Sequence, residues 1–451
     1  MGTIETPKLM LLRGIFPRLS DITRAQITEY APTFLTEFAV MAGQIVTYKL
    51  AAYYLGTEGF SEYAVARRAV STLYPIALLG FGVALPRFIA LSPGEHETGR
   101  RDRFFGATLW CVGAAATILI AFMNIIPSTF AYLVYGNASY RSLTLPVSLI
   151  IAALSLHTVV YSYFRGHMLM ARANILQFTN LAFVPALGFF VTAHNVEAVL
   201  TRIGLLSVLV SFIGLLLTPW QQIAVNSFAE ARVLLHYGIP RVPGDFALTA
   251  LLGLPAFLVA HRVGVQEAGY VAFSVSALGM IAAVFAPIGL VLLPKATGLI
   301  ARGAREELKQ HISLVFGLSL LISVLLTALI ELTSGVLLRA YLGGDFTGIL
   351  TTVRIVLLGG APYAVYMALR SAIDARHFKA INTRNCLIAL AVLASCWLVL
   401  FVLHDSSTTS LIVPLPISLL VLGMLTWSQA RKITLGLETD SSEQEVGALG
   451  C

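Results

Sequence analysis

Charged residues are scarce in this chain of 451 residues. Only 12% are Asp, Glu, Lys or Arg and 57% are hydrophobic, whereas a soluble domain carries about a quarter charged residues. The mean hydropathy is +0.82. This composition excludes a soluble globular protein and a disordered chain. It predicts one polytopic membrane unit with short connections.

Cysteine and catalytic motifs are scarce as well. The chain has four cysteines, and no spacing among Cys111, Cys386, Cys396 and Cys451 fits a metal site. The sequence contains no P-loop, no HExxH motif and no CxxC motif. We therefore expect no catalytic residue, no metal and no cofactor. A transporter is expected rather than an enzyme.

The basic residues lie in short loops. The formal charge is +7, from 30 Lys and Arg against 23 Asp and Glu, and the cations form no patch that would bind nucleic acid. With both termini in the cytosol, 22 of these cations fall on the inner side and 7 on the outer side, and Lys49 lies inside a span. The positive-inside rule therefore predicts cytoplasmic termini.

Long apolar stretches dominate the chain. A helix needs about 20 apolar residues to cross the hydrocarbon core of a membrane. We expect an all-α polytopic fold with 12 transmembrane helices in the following ranges: 31–55, 61–89, 104–140 (divided at Pro127), 142–164, 173–196, 203–229, 238–261, 268–294, 312–330, 351–374, 386–403 and 411–430.

The sequence repeats at an offset of 208 residues. Prolines, acids and turn glycines coincide: Pro32 with Pro240, Glu37 with Asp245, and Gly56 with Gly264. Six spans per half place both halves in the same orientation, so we expect two pseudo-symmetric six-helix lobes with a cavity between them. The predicted units are a cytosolic amphipathic lead-in (1–30), an N-terminal lobe (31–220), an inter-lobe cytosolic linker (221–237), a C-terminal lobe (238–430) and a cytosolic tail (431–451).

Acidic residues inside the spans are candidates for coupling or gating. An ionisable group in a membrane is costly, so it should face a partner or a water-filled cavity. Glu37 and Asp245 stand at equivalent points of the first span of each lobe. One interpretation is that each binds a coupling ion or gates the cavity, and the alternative is that each forms a static ion pair. Asp374 is the third candidate. It follows Arg370 by four residues, as Asp245 follows Arg241, and such pairs can neutralise each other locally.

Four arginines in the spans are candidate substrate contacts, because a guanidinium fork suits a phosphate or carboxylate. They are Arg67, Arg68, Arg241 and Arg370. Arg67 and Arg68 point about 100° apart on a helix, so we expect one to reach the outer surface and the other to face the cavity. The alternative for Arg241 and Arg370 is local ion pairing. Lys49 is expected to extend to the interface, and His157 to form hydrogen bonds between helices.

A family signature is present in residues 54–90, YLGTEGFSEYAVARRAVSTLYPIALLGFGVALPRFIA. The matching residues are Leu55, Gly56, Glu58, Gly59, Phe60, Tyr63, Arg87 and Phe88, while Thr57 and Ser61 replace the usual proline and glycine. The stretch resembles the second span of Wzx-type polysaccharide flippases, in the multidrug/oligosaccharidyl-lipid/polysaccharide (MOP) exporter superfamily. Residues 163–177 (YFRGHMLMARANILQ) and 234–248 (LLHYGIPRVPGDFAL) resemble this family again.

The resemblance implies a MATE-like fold and a function. The expected protein is a flippase of the bacterial inner membrane that moves undecaprenyl-diphosphate-linked oligosaccharide by alternating access, for O-antigen (lipopolysaccharide), capsule or exopolysaccharide synthesis. Its partners would be this lipid-linked oligosaccharide, membrane lipid, and a polymerase and chain-length regulator of the same pathway. Two lobes should suffice as a functional monomer.

Other functions remain open at this point. A cation-coupled multidrug antiporter of the same superfamily needs an acidic or aromatic cavity, whereas arginines in the spans favour an anionic substrate. A lipid II flippase would normally bring additional spans. A glycan polymerase would need a large outer loop, which this chain lacks, and a membrane scaffold is compatible with the sequence.

Overall fold

The computed structural model describes residues 24–92, 98–190, 195–220, 227–285, 302–346, 348–376, 381–404 and 407–435, with residues 288, 292, 296, 299 and 300 between them. These residues are overwhelmingly helical and include no β-strand. Residues 1–23 of the predicted lead-in and the tail beyond residue 435 lie outside the described residues.

The first half of the chain contains eight α-helices within the described residues. They are α1 (Arg24–Leu78), α2 (Phe81–Ala90), α3 (Thr98–Ile125), α4 (Pro127–Tyr135), α5 (Thr144–Gly166), α6 (Met170–Phe178), α7 (Val184–Leu187) and α8 (Val196–Leu216). A 3₁₀ segment, Ala138–Leu143, precedes α5, and a π-helical segment, Thr179–Phe183, joins α6 to α7.

The second half has nine α-helices among the residues described. They are α9 (Phe228–Gly238), α10 (Val242–Arg262), α11 (Val265–Ala283), α12 (Arg305–Leu342), α13 (Ile349–Leu357), α14 (Gly360–Arg376), α15 (Ile381–Val402), α16 (Thr408–Ile412) and α17 (Pro414–Leu435). Helix α9 covers most of the predicted inter-lobe linker, and it packs against α2 and α3.

Helix α1 folds back on itself at Gly56. This residue has φ 67° and ψ −169°, a conformation that glycine adopts without the penalty of a Cβ atom. Tyr48 and Phe60 would be about 18 Å apart along a straight helix, yet their ring centroids are 5.9 Å apart. Gly264, between α10 and α11, also has a positive φ of 139°. The glycines aligned by the sequence repeat therefore form equivalent turns. We call the side of the bundle where they lie the turn side.

The chain is a multi-pass membrane protein. Among the described residues, eight helices are long and apolar enough to cross a membrane, and ten if two bent helix pairs are each taken as one span. Helix α12 exposes Leu332 at 86% and Val336 at 79%, as expected for side chains that face lipid. The all-helical fold class is confirmed. The number of twelve spans stays a prediction.

The two halves meet on a pseudo-two-fold axis. Arg68 of α1 donates a hydrogen bond of 2.9 Å to Ser276 of α11, which is its repeat equivalent 208 residues later. Ser61 likewise packs directly against its own equivalent, Gly269. Under a two-fold rotation, equivalent positions can touch only where they lie next to the axis. Helices α1 and α11 therefore flank this axis.

Aromatic side chains fill the contact between the halves on the turn side. Phe60 of α1 lies between two rings of the second half, 5.6 Å from Phe273 and 5.1 Å from Phe346 between centroids. Tyr48 contacts Phe273 edge-on at 5.2 Å. These rings belong to one hydrophobic core that includes residues of both halves. Such aromatic packing adds to the free energy gained from burial alone.

Candidate substrate cavity

A cavity of about 560 Å³ lies mainly within the first half. Its walls come from α1, α2, α5, the segment α6–α7 and α8, and α10 adds Asp245, Leu248 and Thr249 from the second half. Its volume is in the range that binds small molecules or their head groups. The polar and aromatic lining includes Arg67, Tyr74, His157, Tyr161, Arg165 and Gln177.

Arg67 is the central cation of this cavity. Its guanidinium carbon lies 5.0 Å from the ring centroid of Tyr48 and 5.8 Å from that of Tyr63, and such cation–π contacts hold the group in place. Its Nη1 atom is buried and has no hydrogen-bond partner among the described residues. A buried charged donor without a partner is costly. An anionic ligand that reached this nitrogen would remove that cost.

Arg165 and Asp245 bring further charges to the cavity. Arg165 lies in the last turn of α5, with its guanidinium carbon 5.5 Å from the ring centroid of Tyr161. Asp245 lies at the start of α10, and the positive charges that act on it are those of Arg370 on α14 and Arg241 on the preceding turn. Cations outside the first half thus compensate the acid on the cavity wall.

A chain of hydrogen bonds runs from Glu37 into the first half. Gln177 Nε2 donates to Glu37 Oε1 at 3.4 Å, and His157 Nε2 contacts Gln177 Oε1 at 3.1 Å. Asn180 Nδ2 lies 3.2 Å from His157 Nδ1 and 2.7 Å from Ser211 Oγ. We call these five residues the Glu37 chain. His157, Gln177 and Asn180 also line the cavity.

The hydrogen bonds of the Glu37 chain have a direction. Asn180 Nδ2 is a donor, so Nδ1 of His157 must accept, and Nε2 carries the proton of a neutral imidazole. Nε2 then donates to Gln177, whose amide donates to Glu37. Asn180 occupies the π-helical segment, a deviation that often marks functional positions in helices. The chain therefore presents donors toward an ionised Glu37 carboxylate.

Arg68 and Lys49 both donate hydrogen bonds to the second half of the chain. The Nη2 atom of Arg68 donates to the carbonyl oxygen of Ala272 at 3.2 Å and to Ser276 Oγ at 2.9 Å. Lys49 donates to the carbonyl oxygen of Tyr341. Arg67 lines the cavity and Arg68 bonds to the second half, so the expectation that one of the two would reach the outer surface is wrong. That Lys49 extends to the interface stays a prediction. Acceptors on the second half of the chain lie within their reach and compete with water.

The remaining predicted residues lie outside the lining of this cavity. Arg241 Nη1 donates to the backbone carbonyl oxygen of Tyr237 at 2.7 Å, and the guanidinium carbon of Arg241 lies 3.8 Å from the centroid of the Tyr237 ring. The guanidinium carbon of Arg370 lies 6.0 Å from the ring centroid of Tyr366. Asp374 accepts a hydrogen bond of 2.8 Å from Asn382. Glu37 reaches the lining through its hydrogen bond from Gln177 and through the charge of Arg165, which acts on it.

Several residues of the cavity are not predicted from the sequence as functional residues. Arg165 is counted there only as a loop cation, and His157 only as a structural hydrogen-bonding group. Gln177 and Asn180 are uncharged amides, so the cost of placing a charge in a membrane does not single them out. The sequence signal for them is that the two amides, three residues apart, share one face of a helix.

Comparison with known proteins identifies the family. Residues 33–299 match the family described as polysaccharide biosynthesis protein. The chain belongs to this family. The predicted resemblance is thereby confirmed at the level of this family. A search of curated proteins gives no significant match.

Solved structures share the fold of this chain. The lipid II flippase MurJ, in an inward closed conformation, aligns with a TM-score of 0.69 at 13% identity, over 91% of this chain and 90% of its own. An inward-facing multidrug resistance MATE family transporter of the MOP superfamily aligns with a TM-score of 0.70 at 12% identity, over 90% and 99%. The eukaryotic MATE transporter AtDTX14 gives a TM-score of 0.63 at 13% identity, over 91% and 100%. The predicted MATE-like fold is confirmed.

Proposed function

We propose that this protein flips an undecaprenyl-diphosphate-linked oligosaccharide across the bacterial inner membrane, from the cytosolic to the periplasmic leaflet, for O-antigen, capsule or exopolysaccharide synthesis. A sugar-bearing diphosphate cannot cross hydrocarbon unaided, because its charges and hydroxyl groups would lose their hydration. A carrier must supply cations for the diphosphate and polar groups for the sugars. The family and the fold support a flippase, and the substrate is our proposal.

The free Nη1 atom of Arg67 carries this proposal. The described residues place no carboxylate in an ion pair with Arg67, so its charge is not consumed inside the protein. An arginine held by two tyrosine faces, with one donor free, suits a phosphate oxygen. Arg165 supplies a second cation in the same cavity. The second predicted function, a multidrug antiporter for cationic drugs, receives no support from these charges.

The remaining lining suits the sugars. Tyr74 and Tyr161 offer aromatic faces for sugar rings, and Ser71, Thr158 and Asn180 offer hydrogen-bonding groups. The polyprenyl tail would stay in lipid beside the helices. A cavity that is both aromatic and polar is typical of sites that bind amphipathic ligands.

Transport would proceed by alternating access, in which one lobe rocks against the other. Glu37, Asp245 and Asp374 remain our candidates for coupling or gating, and Arg68, Arg241 and Arg370 our further candidates for substrate contact. We also propose cytoplasmic termini, a functional monomer, and a pathway that includes a polymerase and a chain-length regulator.

The test is translocation in liposomes that contain the purified protein. A fluorescent polyprenyl-diphosphate oligosaccharide is added to one leaflet, and its arrival in the other is followed by quenching. Arg67→Gln should slow translocation about tenfold, the value expected when a charged hydrogen bond is lost. Arg141→Gln is the matched control, because Arg141 is exposed outside the cavity. Efflux of a cationic dye without movement of the glycolipid would instead establish the antiporter.

A further inference from the structure

Arg68 lies partly buried at the joint between the two halves. It contacts Ser276 and the carbonyl oxygen of Ala272 on α11, and a longer contact of 3.5 Å leads to Ser71 on its own helix. Tyr48 bonds to the same Ser276 hydroxyl at 2.8 Å. We call Tyr48, Arg68, Ala272 and Ser276 the axial joint.

The axial joint leaves the charge of Arg68 uncompensated. All its acceptors are neutral, and the Nε atom is buried without a partner among the described residues. The ionisable groups that act on it are Tyr48, Tyr363 and the like-charged Arg67, with no carboxylate among them. Neutral acceptors compensate a buried cation only partly. The joint is therefore a costly place for an arginine unless the group has another use.

Packing on the axis does not require an arginine. At the other described contact between repeat equivalents, Ser61 meets Gly269, and two small residues bring the helices together. Ser276 is the equivalent of Arg68, so a small residue is already present on one side of the axial joint. The guanidinium is a feature of the first half alone. It adds charge, and it contributes little that close helix packing needs.

We propose that Arg68 is a second, masked binding site for the phosphate groups of the substrate. When the halves separate along the axial joint, Arg68 loses its acceptors on Ala272 and Ser276, and its guanidinium becomes free to bind an anion. Arg67 is the adjacent residue and already lines the cavity. The diphosphate would therefore pass from Arg67 to Arg68 as access changes sides. This inference rests on the proposed flippase function.

A cross-link that holds the halves together allows the contributions of Arg67 and Arg68 to substrate binding to be measured separately. A Cβ atom on Gly253 of α10 would lie 3.3 Å from the Cβ of Thr72 on α1, close to the spacing of about 3.8 Å in disulfides. Thr72 lies one helical turn from Arg68. Thr72→Cys with Gly253→Cys, in a chain without the four native cysteines, would therefore lock the joint under oxidising conditions.

The binding experiment uses the cross-linked protein and a fluorescent polyprenyl-diphosphate oligosaccharide. Arg67→Gln should weaken binding about tenfold, and Arg68→Gln should leave it within about twofold, because Arg68 stays masked. After reduction of the cross-link, Arg68→Gln should slow flipping about tenfold. Arg68→Lys, which keeps the charge, should restore most of the rate. Size-exclusion profiles would verify that each variant is folded.

Ser276→Ala distinguishes a binding role from a purely structural one. It removes an acceptor of the joint but keeps the guanidinium, so flipping should stay within about twofold of the unchanged protein. If Ser276→Ala slows flipping as much as Arg68→Gln, or if Arg68→Gln weakens binding in the locked protein, the masked site is wrong. Normal flipping by Arg68→Gln overturns it as well. The parent protein carries Thr72→Cys and Gly253→Cys and keeps both arginines. If it neither binds nor flips the diphosphate lipid after its cross-link is reduced, the proposed function itself is wrong.

Discussion

Gly80 and Gly238 meet backbone to backbone. A Cβ atom on Gly80 would lie 2.7 Å from the carbonyl oxygen of Gly238, and Gly80 has a φ of +75°. This contact holds α9 against the break between α1 and α2, where the two helices bend by 46°. Leu79 beside it also has a positive φ, of 52°. The break forms part of the cavity wall, since Leu78, Gly80 and Gly82 line it.

We predict that Gly80→Ala destabilises the protein. The positive φ alone costs a residue with a side chain about 1–3 kcal/mol, and the new methyl group would push α9 away. The apparent melting temperature in detergent should fall, measured by fluorescence-detected size exclusion. Gly113→Ala is the control, because a Cβ atom there has no neighbour within 4 Å. Equal melting of both variants would show that the break tolerates a side chain.

Glu37→Gln should slow flipping without reducing the amount of protein in the membrane. The substitution removes the charge at the end of the Glu37 chain but keeps the size and a hydrogen-bonding oxygen for Gln177. Asp245→Asn should act in the same direction in the second half. The measurements are flipping in liposomes and immunoblotting of membranes. Glu197→Gln, at an exposed position, is the control. Unchanged flipping in both variants would remove the coupling role.

Asn180→Leu should destabilise the first half by about 1–3 kcal/mol, because it leaves His157 Nδ1 and Ser211 Oγ without their shared donor in a buried setting. Thermal unfolding in detergent measures the effect. Ser395→Ala provides the comparison, since Ser395 is exposed and donates to the carbonyl oxygen of Ala391 on its own helix. A loss no larger than that of Ser395→Ala would mean that water replaces the missing amide.

The ion pair between Arg103 and Glu230 should contribute more to stability than a fully exposed one. The N–O distance is 2.7 Å, and the Glu230 side chain is 11% exposed. Glu230→Gln should therefore cost about 1 kcal/mol, reduced by the partial exposure of Arg103. The coupling energy comes from a double-mutant cycle with Arg103→Gln.

A second ion pair in the chain serves as the control for that cycle. Lys309 and Glu306 are 3.6 Å apart, and Glu306 is 80% exposed. Breaking this pair with Glu306→Gln should cost less than about 0.5 kcal/mol. Equal coupling energies for the two pairs would show that α9 is not held to α3 by its charge.

Much of the fold can be predicted from the internal sequence repeat and its turn glycines. The offset of 208 residues aligns Gly56 with Gly264, and both form positive-φ turns. It also aligns Arg68 with Ser276, which meet in space. Both agreements have a physical cause. Repeat equivalents meet because a duplicated chain packs its halves about one axis, and the turn glycines coincide because each reversal between two helices needs a residue without a Cβ atom.

The site was harder to predict, because long side chains choose their partners in three dimensions. Asp245 follows Arg241 by four residues and so lies within its reach on a helix. The Nη1 atom of Arg241 nevertheless donates to a carbonyl oxygen, and its guanidinium group stacks on the Tyr237 ring. The Glu37 chain joins residues up to 174 positions apart through amides and an imidazole, which carry no charge signal at neutral pH. Only the folded chain brings them together.

The pseudo-two-fold axis bears on how such a chain can arise. In a dimer of two identical halves, an arginine at the axial joint would face the same arginine across the axis, and two like charges would repel each other in a buried setting. Here the partner of Arg68 is a serine. This arrangement requires the two halves to differ in sequence. Joining two copies in one gene allows that difference. A single arginine on the axis can therefore arise in a fused chain but not in a symmetric dimer of identical halves.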